Sequence, residues 1–336
     1  MDVTDRRAEQ PLTLAEVREI VELAALAPSV HNTQPWRFSW DGQTLAVNED
    51  PSRALPVLDP AGRERVLSCG AAAQHAELAV RELGRACTTD VEPDRNDPLL
   101  VARITVGAAR EKTAAEQALV TAIPRRYTDR GVFDPAEVPT DTIDRLRRAA
   151  EHHGAWLRPV VDPDERVAMA VLLAHADTAE KSDPAYLAEL ARWRTHERQQ
   201  EGVPDAALPG GPVALRGSDF VLRDFDATAD MGPPDTAAEP PTPEHPLVVV
   251  LGTDDDGRED WIRAGMALGR VLLQATADDL TASPMTQVVE VEPFRARLRR
   301  ELGMVGQPQV VLRVGYGHGR MTTRRRPVDD VLDVTG

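Results

Sequence analysis

The stretch Ala27-Pro28-Ser29-Val30-His31-Asn32-Thr33-Gln34-Pro35-Trp36-Arg37-Phe38 guides the interpretation of the whole chain. Apolar residues before it recur at helical spacing, and residues 37–40 after it have the composition of a strand. The two prolines stop the helix and stiffen the connection, because proline lacks an amide donor and biases the preceding residue toward extended geometry. We therefore predict a short, rigid loop with polar side chains between a helix and a strand.

The polar residues of this loop allow two interpretations. Ser29, Asn32 and Gln34 carry hydroxyl and amide groups that both donate and accept hydrogen bonds. Such groups suit the edge of a planar heterocycle rich in carbonyls and ring nitrogens. They would equally serve as caps in an ordinary helix-to-strand turn, with Trp36 as a core aromatic. The residue types alone leave both interpretations open.

The composition limits the classes of partner. A chain of 336 residues is long enough for two domains, and its formal net charge of −16 disfavours nucleic acid and anionic membrane surfaces. Its two cysteines, Cys69 and Cys87, lack a Cys-x-x-Cys spacing, so no metal site is predicted. The first residues contain no apolar run, and no apolar window reaches membrane length. These features predict a soluble, cytoplasmic protein.

Capping signals and apolar periodicity predict most of the elements. Thr13 with Glu16, and Thr113 with Glu116, are capping boxes that open helices, the first of which ends at Pro28. Further helices are predicted over 64–83, 140–153, 162–178, 183–193, 259–276 and 292–302, and strands over 37–40, 44–47, 101–106, 246–251 and 310–314. Helices and strands alternate without regular βαβ repeats, which predicts a mixed α+β fold.

Two features suggest how the chain is organised. Shifting the sequence by 126 positions superposes apolar positions of the helix after Pro139 on those of the first helix, although any two amphipathic helices can agree this well. Residues 202–246 contain nine of the 27 prolines and show little regular structure. So long a segment is usually a lid or disordered. Phe220, Phe225 and the apolar run 213–215 favour an excursion that packs over something.

The opening loop resembles that of a known family. Pro28-Ser29, Asn32, Gln34-Pro35-Trp36 and Phe38 are similar to the signature loop of the FMN-dependent nitroreductase superfamily. Val30-His31 within it resembles the Acg-like branch, whose members carry two nitroreductase-like halves in one chain. The resemblance implies a nitroreductase-like α+β fold and an internal pseudo-dimer. Its halves would be residues 1–112 and 113–336, with a lid-like excursion at 202–246.

The resemblance also implies where flavin mononucleotide (FMN) would bind. Two arginine clusters suit its phosphate, because a guanidinium donates two hydrogen bonds at once. They are Arg125, Arg126 and Arg130, and Arg324-Arg325-Arg326, although either could be a solvated surface patch. Within the clusters we favour Arg126, Arg130 and Arg325. The segment 282–285 would bring a backbone N–H to the ring, or would simply be a loop turned by Pro284. The predicted cofactor-binding residues are Pro28, Ser29, Val30, Asn32, Gln34, Arg125, Arg126, Thr128, Arg130, Ala282, Ser283, Pro284, Met285, Arg324 and Arg325.

Two functions follow from the resemblance. The first is an oxidoreductase in which NAD(P)H, as a transient reductant, supports ping-pong reduction of an electron-poor acceptor such as a nitroaromatic or quinone. No Gly-x-Gly-x-x-Gly loop is present to hold the nicotinamide permanently. The second is a catalytically quiet protein that stores or sequesters FMN beneath the lid. No catalytic residue is assigned, and His31 is interpreted as a hydrogen-bonding spacer. One FMN is expected per chain, in a monomeric pseudo-dimer or a homodimer.

Overall fold

A five-stranded and a four-stranded sheet flank a layer of helices in the computed structural model, which describes residues 11–92, 94, 96–195, 200–207, 220, 244–317 and 323–335. The helices are α1 (Leu14–Ala24), α2 (Arg63–Glu82), α3 (Ala114–Ala122), α4 (Thr140–Glu151), α5 (Pro163–Lys181), α6 (Pro184–Trp193), α7 (Arg258–Ala277), α8 (Gln287–Glu290) and α9 (Glu292–Glu301). The strands are β1 (Trp36–Trp40), β2 (Thr44–Glu49), β3 (Arg85–Val91), β4 (Leu100–Ala109), β5 (Trp156–Pro159), β6 (Arg194–Thr195), β7 (Val203–Pro204), β8 (Leu247–Thr253), β9 (Thr281–Pro284), β10 (Gln307–Gly315) and β11 (Leu332–Val334). The predicted α+β class is confirmed.

The two main sheets draw on different parts of the chain. The five-stranded sheet has the order β11-β1-β2-β4-β3, and the four-stranded sheet has the order β5-β8-β10-β9. The β1–β2 hairpin turns at Asp41, whose carboxylate accepts hydrogen bonds from the amides of Gln43 and Thr44. Strand β11 lies parallel to β1, with Phe38 opposite Leu332. The last strand of the chain therefore completes the sheet that the first strand begins.

Glycine allows the long helices α2 and α7 to cross at close range. A Cβ on Gly265 of α7 would collide with the Leu67 carbonyl oxygen of α2, and one on Gly70 of α2 would collide with the Ile262 carbonyl oxygen of α7. Helix α1 packs against α2, while α4 packs against α7. The crossing thus joins the two sheets and places the faces of α2 and α7 at fixed positions.

Elements signalled by neighbouring residues were predicted correctly, whereas several strands that depend on distant partners were not. The capping boxes at Thr13 and Thr113 and the β1–β2 hairpin are confirmed. The first helix ends at Ala24 rather than Pro28, because the amides of Leu26 and Ala27 bond three residues back and tighten the chain. The prediction of a turn at 282–285 is wrong over 282–284, which belong to β9. Strands β3, β5, β6, β7 and β11 were not predicted.

Much of the predicted excursion at 202–246 cannot be described. Residues 208–219 and 221–243, which include Phe225 and the run 213–215, lie outside the described residues. Phe220 is 3% exposed, belongs to the core that contains Met169 and Val311, and lies under the guanidinium of Arg166 at 5.1 Å. Packing of the excursion is therefore confirmed at Phe220. Among the described residues, no helix has the length and apolar character needed to cross a membrane.

Candidate functional site

A cavity of about 530 Å³ lies among α2, α7, β9, the loop after α1 and the segment after α3. Val203 and the chain from 323 to 325 also contribute to its wall. Twelve predicted cofactor-binding residues line this cavity, namely Pro28, Ser29, Val30, Asn32, Arg126, Thr128, Arg130, Ala282, Ser283, Pro284, Arg324 and Arg325. The fold thus brings the opening loop, both arginine clusters and the 282–284 segment to one place.

The opening loop has an unusual backbone that its side chains hold in place. His31, Asn32 and Gln34 have positive φ angles of 48°, 55° and 51°, a region that residues other than glycine seldom occupy. Asn32 Nδ2 donates to the carbonyl oxygens of Gly202 (3.1 Å) and Arg324 (3.3 Å). Its Oδ1 is buried and accepts no hydrogen bond from the described residues. Backbone strain of this kind persists where surrounding contacts enforce it, often at functional sites.

Arg126 places a positive charge in the cavity wall. The residue is 8% exposed, and its side chain makes no hydrogen bond or ion pair with the described residues. Burial lowers the pKa of Arg126 to about 10, because water favours the charged form. A buried charge without a counter-ion among the described residues is costly, so the position favours the binding of an anion.

Arg325 adds a second cation, which backbone carbonyls hold in position. Its Nε donates to the carbonyl oxygen of Ala25 (2.8 Å), and its Nη2 donates to those of Leu26 (3.3 Å) and Ala27 (3.1 Å). These carbonyls follow α1 and lack helical partners. Burial, and then the positive charge of Arg126, lower the pKa of Arg325 to about 9. Arg325 thereby caps the carbonyl groups that follow α1, and its guanidinium lies near that of Arg126.

His75 is a buried neutral neighbour of these arginines. It is 0% exposed and lies against the backbone of Leu23. Burial, followed by the charge of Arg126, lowers the pKa of His75 to about 3. The imidazole is therefore uncharged at neutral pH. The positive character of this region comes from guanidinium groups.

Strand β9 forms another part of the wall. It pairs with β10 on one side, and on the other Thr128 forms a parallel bridge to Ala282, whose carbonyl accepts from the Asp129 amide at 3.2 Å. The Met285 amide donates to the Val311 carbonyl at 2.8 Å, and Pro284 has no amide hydrogen. Neither Met285 nor Pro284 therefore offers a backbone donor to a ligand.

Three predicted residues are absent from the cavity lining, and each has another contact. Arg125 is half-exposed and pairs with Asp279 at 2.6 Å. Met285 is 1% exposed within an apolar core. Gln34 is fully buried, with Oε1 accepting from the Arg326 amide (2.8 Å) and Nε2 donating to the Gln200 carbonyl (2.7 Å). Their assignment to a cofactor stays a prediction.

Helices α2 and α8 contribute cavity residues that the sequence did not predict. Glu64 and Ser68 line the cavity, and Glu64 accepts from Arg63 Nη2 at 2.5 Å. Ser68 Oγ donates to the Glu64 carbonyl (2.8 Å) and accepts from the Val30 amide (3.4 Å), which ties the opening loop to α2. Glu290 lines the wall from α8. The one-turn spacing of Glu64, Leu67 and Ser68 signals a shared helix face, but not that this face borders a cavity.

The cavity combines groups suited to different parts of one ligand. Arg126, Arg325 and the Thr128 hydroxyl suit an anion such as a phosphate, whereas Leu67, Leu268 and Leu272 offer an apolar wall. Among the described residues, no group of three or more histidine, cysteine, aspartate or glutamate side chains could hold a metal ion. The geometry is that of a site for an organic ligand with an anionic group.

Comparison with known proteins gives the family. The model of the nitroreductase family matches residues 8–55 and 123–316. Rv3131 from Mycobacterium tuberculosis (strain ATCC 25618 / H37Rv), provisionally named an NAD(P)H nitroreductase, is 36% identical over 89% of this chain and 85% of its own length. Acg from the same strain, also provisionally named an NAD(P)H nitroreductase, is 32% identical over 96% of this chain and 97% of its own length.

A solved structure was also matched. The FMN-dependent nitroreductase NfnB from Mycobacterium smegmatis, in complex with NADPH, has 18% identity and a TM-score of 0.35, with 60% of this chain and 88% of that chain covered. The family assignment depends on the family model and the two relatives above. The resemblance predicted from the loop at 27–38 is confirmed, and this chain belongs to the nitroreductase family.

Proposed function

We propose that this chain binds FMN in the cavity and uses NAD(P)H to reduce an electron-poor small molecule, such as a nitroaromatic or a quinone. The observation that carries the proposal is the buried charge of Arg126, which lies beside Arg325 and lacks a counter-ion among the described residues. Rv3131 and Acg bear NAD(P)H nitroreductase names. Those names favour turnover over the alternative of FMN storage.

The residues of the cavity fit the parts of FMN. Arg126 and Arg325 would hold the phosphate, with the Thr128 hydroxyl as a further donor. The Asn32 Oδ1, buried and without a donor among the described residues, suits an N–H group at the edge of the ring. Leucines of α2 and α7 supply an apolar surface for the flat ring system. When bound, FMN supplies a ring that accepts and donates hydride, chemistry that no side chain offers.

We also propose that residues 1–112 and 113–336 are related halves of an internal pseudo-dimer with one flavin site. The packing of α1 on α2 and of α4 on α7 gives each half an equivalent helix pair. The family model matches one segment in the first half and another that runs through the second. Because the opening loop and the arginines come from different halves, a single chain would complete the site as a monomer. We place this monomer in the cytoplasm.

The decisive experiment starts with the absorbance spectrum of the purified protein. We expect a flavin spectrum, release of one FMN per chain, and oxidation of NADPH or NADH that depends on an added nitroaromatic or quinone. A yellow protein that oxidises neither nicotinamide with any acceptor would support storage instead. A colourless protein that FMN cannot reconstitute would exclude both functions, and two FMN per chain would contradict the pseudo-dimer.

A further inference from the structure

A buried ion pair lies next to the arginine side of the cavity without lining it. Arg313 of β10 donates from Nη1 to Glu244 Oε1 (2.9 Å) and Oε2 (2.8 Å), and both side chains are 0% exposed. Among the ion pairs of the described residues, the next most buried, Arg63–Glu64, has side chains that are 8% and 6% exposed. Burial of two charges is expensive unless both are well paired and hydrogen bonded.

The pair holds the backbone of residues 129–133. Arg313 Nη2 donates to the Gly131 carbonyl at 2.6 Å and to the Asp129 carbonyl at 3.4 Å. The guanidinium lies 4.2 Å from the centre of the Phe133 ring, and Glu244 Oε2 accepts from the Phe133 amide at 2.6 Å. Each member of the pair thus bonds to this segment as well as to its partner.

The held segment directly continues the cavity wall. Arg126, Thr128 and Arg130 line the cavity, yet no helix or strand spans residues 126–139. Their positions therefore depend on tertiary contacts. One is the bridge between Thr128 and Ala282 of β9, and the Arg313–Glu244 pair is a further anchor, immediately downstream.

We propose that Arg313 and Glu244 are positioning residues for the phosphate-binding segment 126–130, an inference that rests on the proposed FMN site. Neither residue lines the cavity, and both act by fixing the backbone that carries Arg126, Thr128 and Arg130. Buried ion pairs can often be replaced by apolar residues without loss of stability. We therefore expect the pair to matter for the position of this segment more than for stability. A variant could then lose FMN affinity without losing stability.

The test compares FMN with riboflavin, which lacks the phosphate. In Glu244→Gln we expect the Kd for FMN to rise about tenfold or more, as for loss of a charge-assisted contact. The Kd for riboflavin should stay within about twofold, because the phosphate contacts are absent from that complex. The double variant Arg313→Met/Glu244→Leu should be more stable to heat than Glu244→Gln but should bind FMN as weakly as that variant. Glu244→Asp serves if Glu244→Gln does not fold.

Glu49→Gln is the matched control. Glu49 is a buried carboxylate that pairs with Arg65 (2.5 Å) and Arg258 (2.7 Å), and none of these residues lines the cavity. It should lower thermal stability without changing the ratio of the two flavin affinities. Equal weakening of FMN and riboflavin in Glu244→Gln, or the same FMN loss in Glu49→Gln, would overturn the inference.

Hydrogen exchange separates this inference from the proposed function. If the wild-type protein binds neither flavin, the FMN proposal is wrong, but the positioning role can still be measured in the protein alone. The amides of residues 129–133 should then exchange faster in Glu244→Gln than in Glu49→Gln. Equal exchange in the two variants would overturn the positioning role as well.

Discussion

Replacing Arg126 by methionine should have two effects of opposite sign: greater stability without ligand and weaker FMN binding. Burial lowers the pKa of Arg126 to about 10, well below that of a solvated guanidinium. At about 1.4 kcal/mol per pKa unit, the charged side chain costs the folded protein about 3 kcal/mol at neutral pH. Since the pKa is lower in the folded than in the unfolded chain, this cost is complete below pH 10 and disappears as the pH rises past 10 toward the pKa of a solvated arginine.

Methionine retains much of the arginine volume and removes the charge. We expect the free energy of unfolding of the ligand-free protein to rise by about 2 kcal/mol, allowing for imperfect packing of the new side chain. For 336 residues the entropy of unfolding is about 0.7 kcal/mol/K, so Tm should rise by about 3 °C. Fluorescence titration should show FMN binding weakened about a hundredfold, because a charge-assisted contact with phosphate contributes about 3 kcal/mol.

The adjacent arginine provides the control. Arg125→Met removes a half-exposed surface pair with Asp279, which should change stability by less than about 1 kcal/mol. Because Arg125 does not line the cavity, we expect FMN affinity to stay intact, and a loss would instead support its predicted contact with the cofactor. A lower Tm for ligand-free Arg126→Met would refute the claim that its charge is uncompensated. A higher Tm with unchanged FMN affinity would show instead that the phosphate binds elsewhere.

Two further changes test the helix crossing and the buried histidine. Gly265→Ala should destabilise the protein by about 2 kcal/mol in urea unfolding, because its Cβ would meet the Leu67 backbone, whereas Gly107→Ala, with no neighbour closer than 3.4 Å, should not. His75→Gln should reduce the loss of stability in acid: with a pKa of about 3 when folded and 6.5 when unfolded, His75 removes about 1.4 kcal/mol per pH unit as the pH falls from 6.5 to 3. Identical slopes of stability against pH in the variant and the wild type would contradict this.

The sequence predicted those features that depend on neighbouring residues. A capping box such as Thr13 with Glu16 is formed by groups three residues apart, and a hairpin at Asp41-Gly42 needs only its own turn. Strand β9 could not be predicted in this way. Its four residues, Thr281–Pro284, are ordered by pairing with β10 and by the bridge from Thr128, which lies more than a hundred residues away. Short strands take their identity from such partners.

The candidate site shows the same division. Arginine clusters are visible in the sequence, but their orientation is not: Arg125 turns outward to Asp279, while Arg126 is buried in the cavity wall. Adjacent residues beyond a helix end point in different directions, and only the tertiary fold selects the one that faces inward. The face of α2 at Glu64 and Ser68 was missed because helical spacing shows that residues share a face, without showing what that face borders.

The opening loop explains why its residue types supported two interpretations. Both ends of the Gln34 side-chain amide bond to the backbone: Oε1 accepts from the Arg326 N–H, and Nε2 donates to the Gln200 carbonyl. Ser29 Oγ accepts from the backbone N–H of Gln34 at 3.0 Å. Asn32 uses its Nδ2 on the backbone and leaves its Oδ1 without a donor among the described residues. An amide side chain can hydrogen bond to the backbone of a turn or to the edge of a heterocycle equally well. In this loop most of the hydrogen bonds of Asn32 and Gln34 are made to the backbone. Of the two side-chain amides in this loop, the Asn32 Oδ1 is the atom left for a ligand edge, so that Asn32→Ala would test the ring contact while Gln34→Ala would test the loop that presents it.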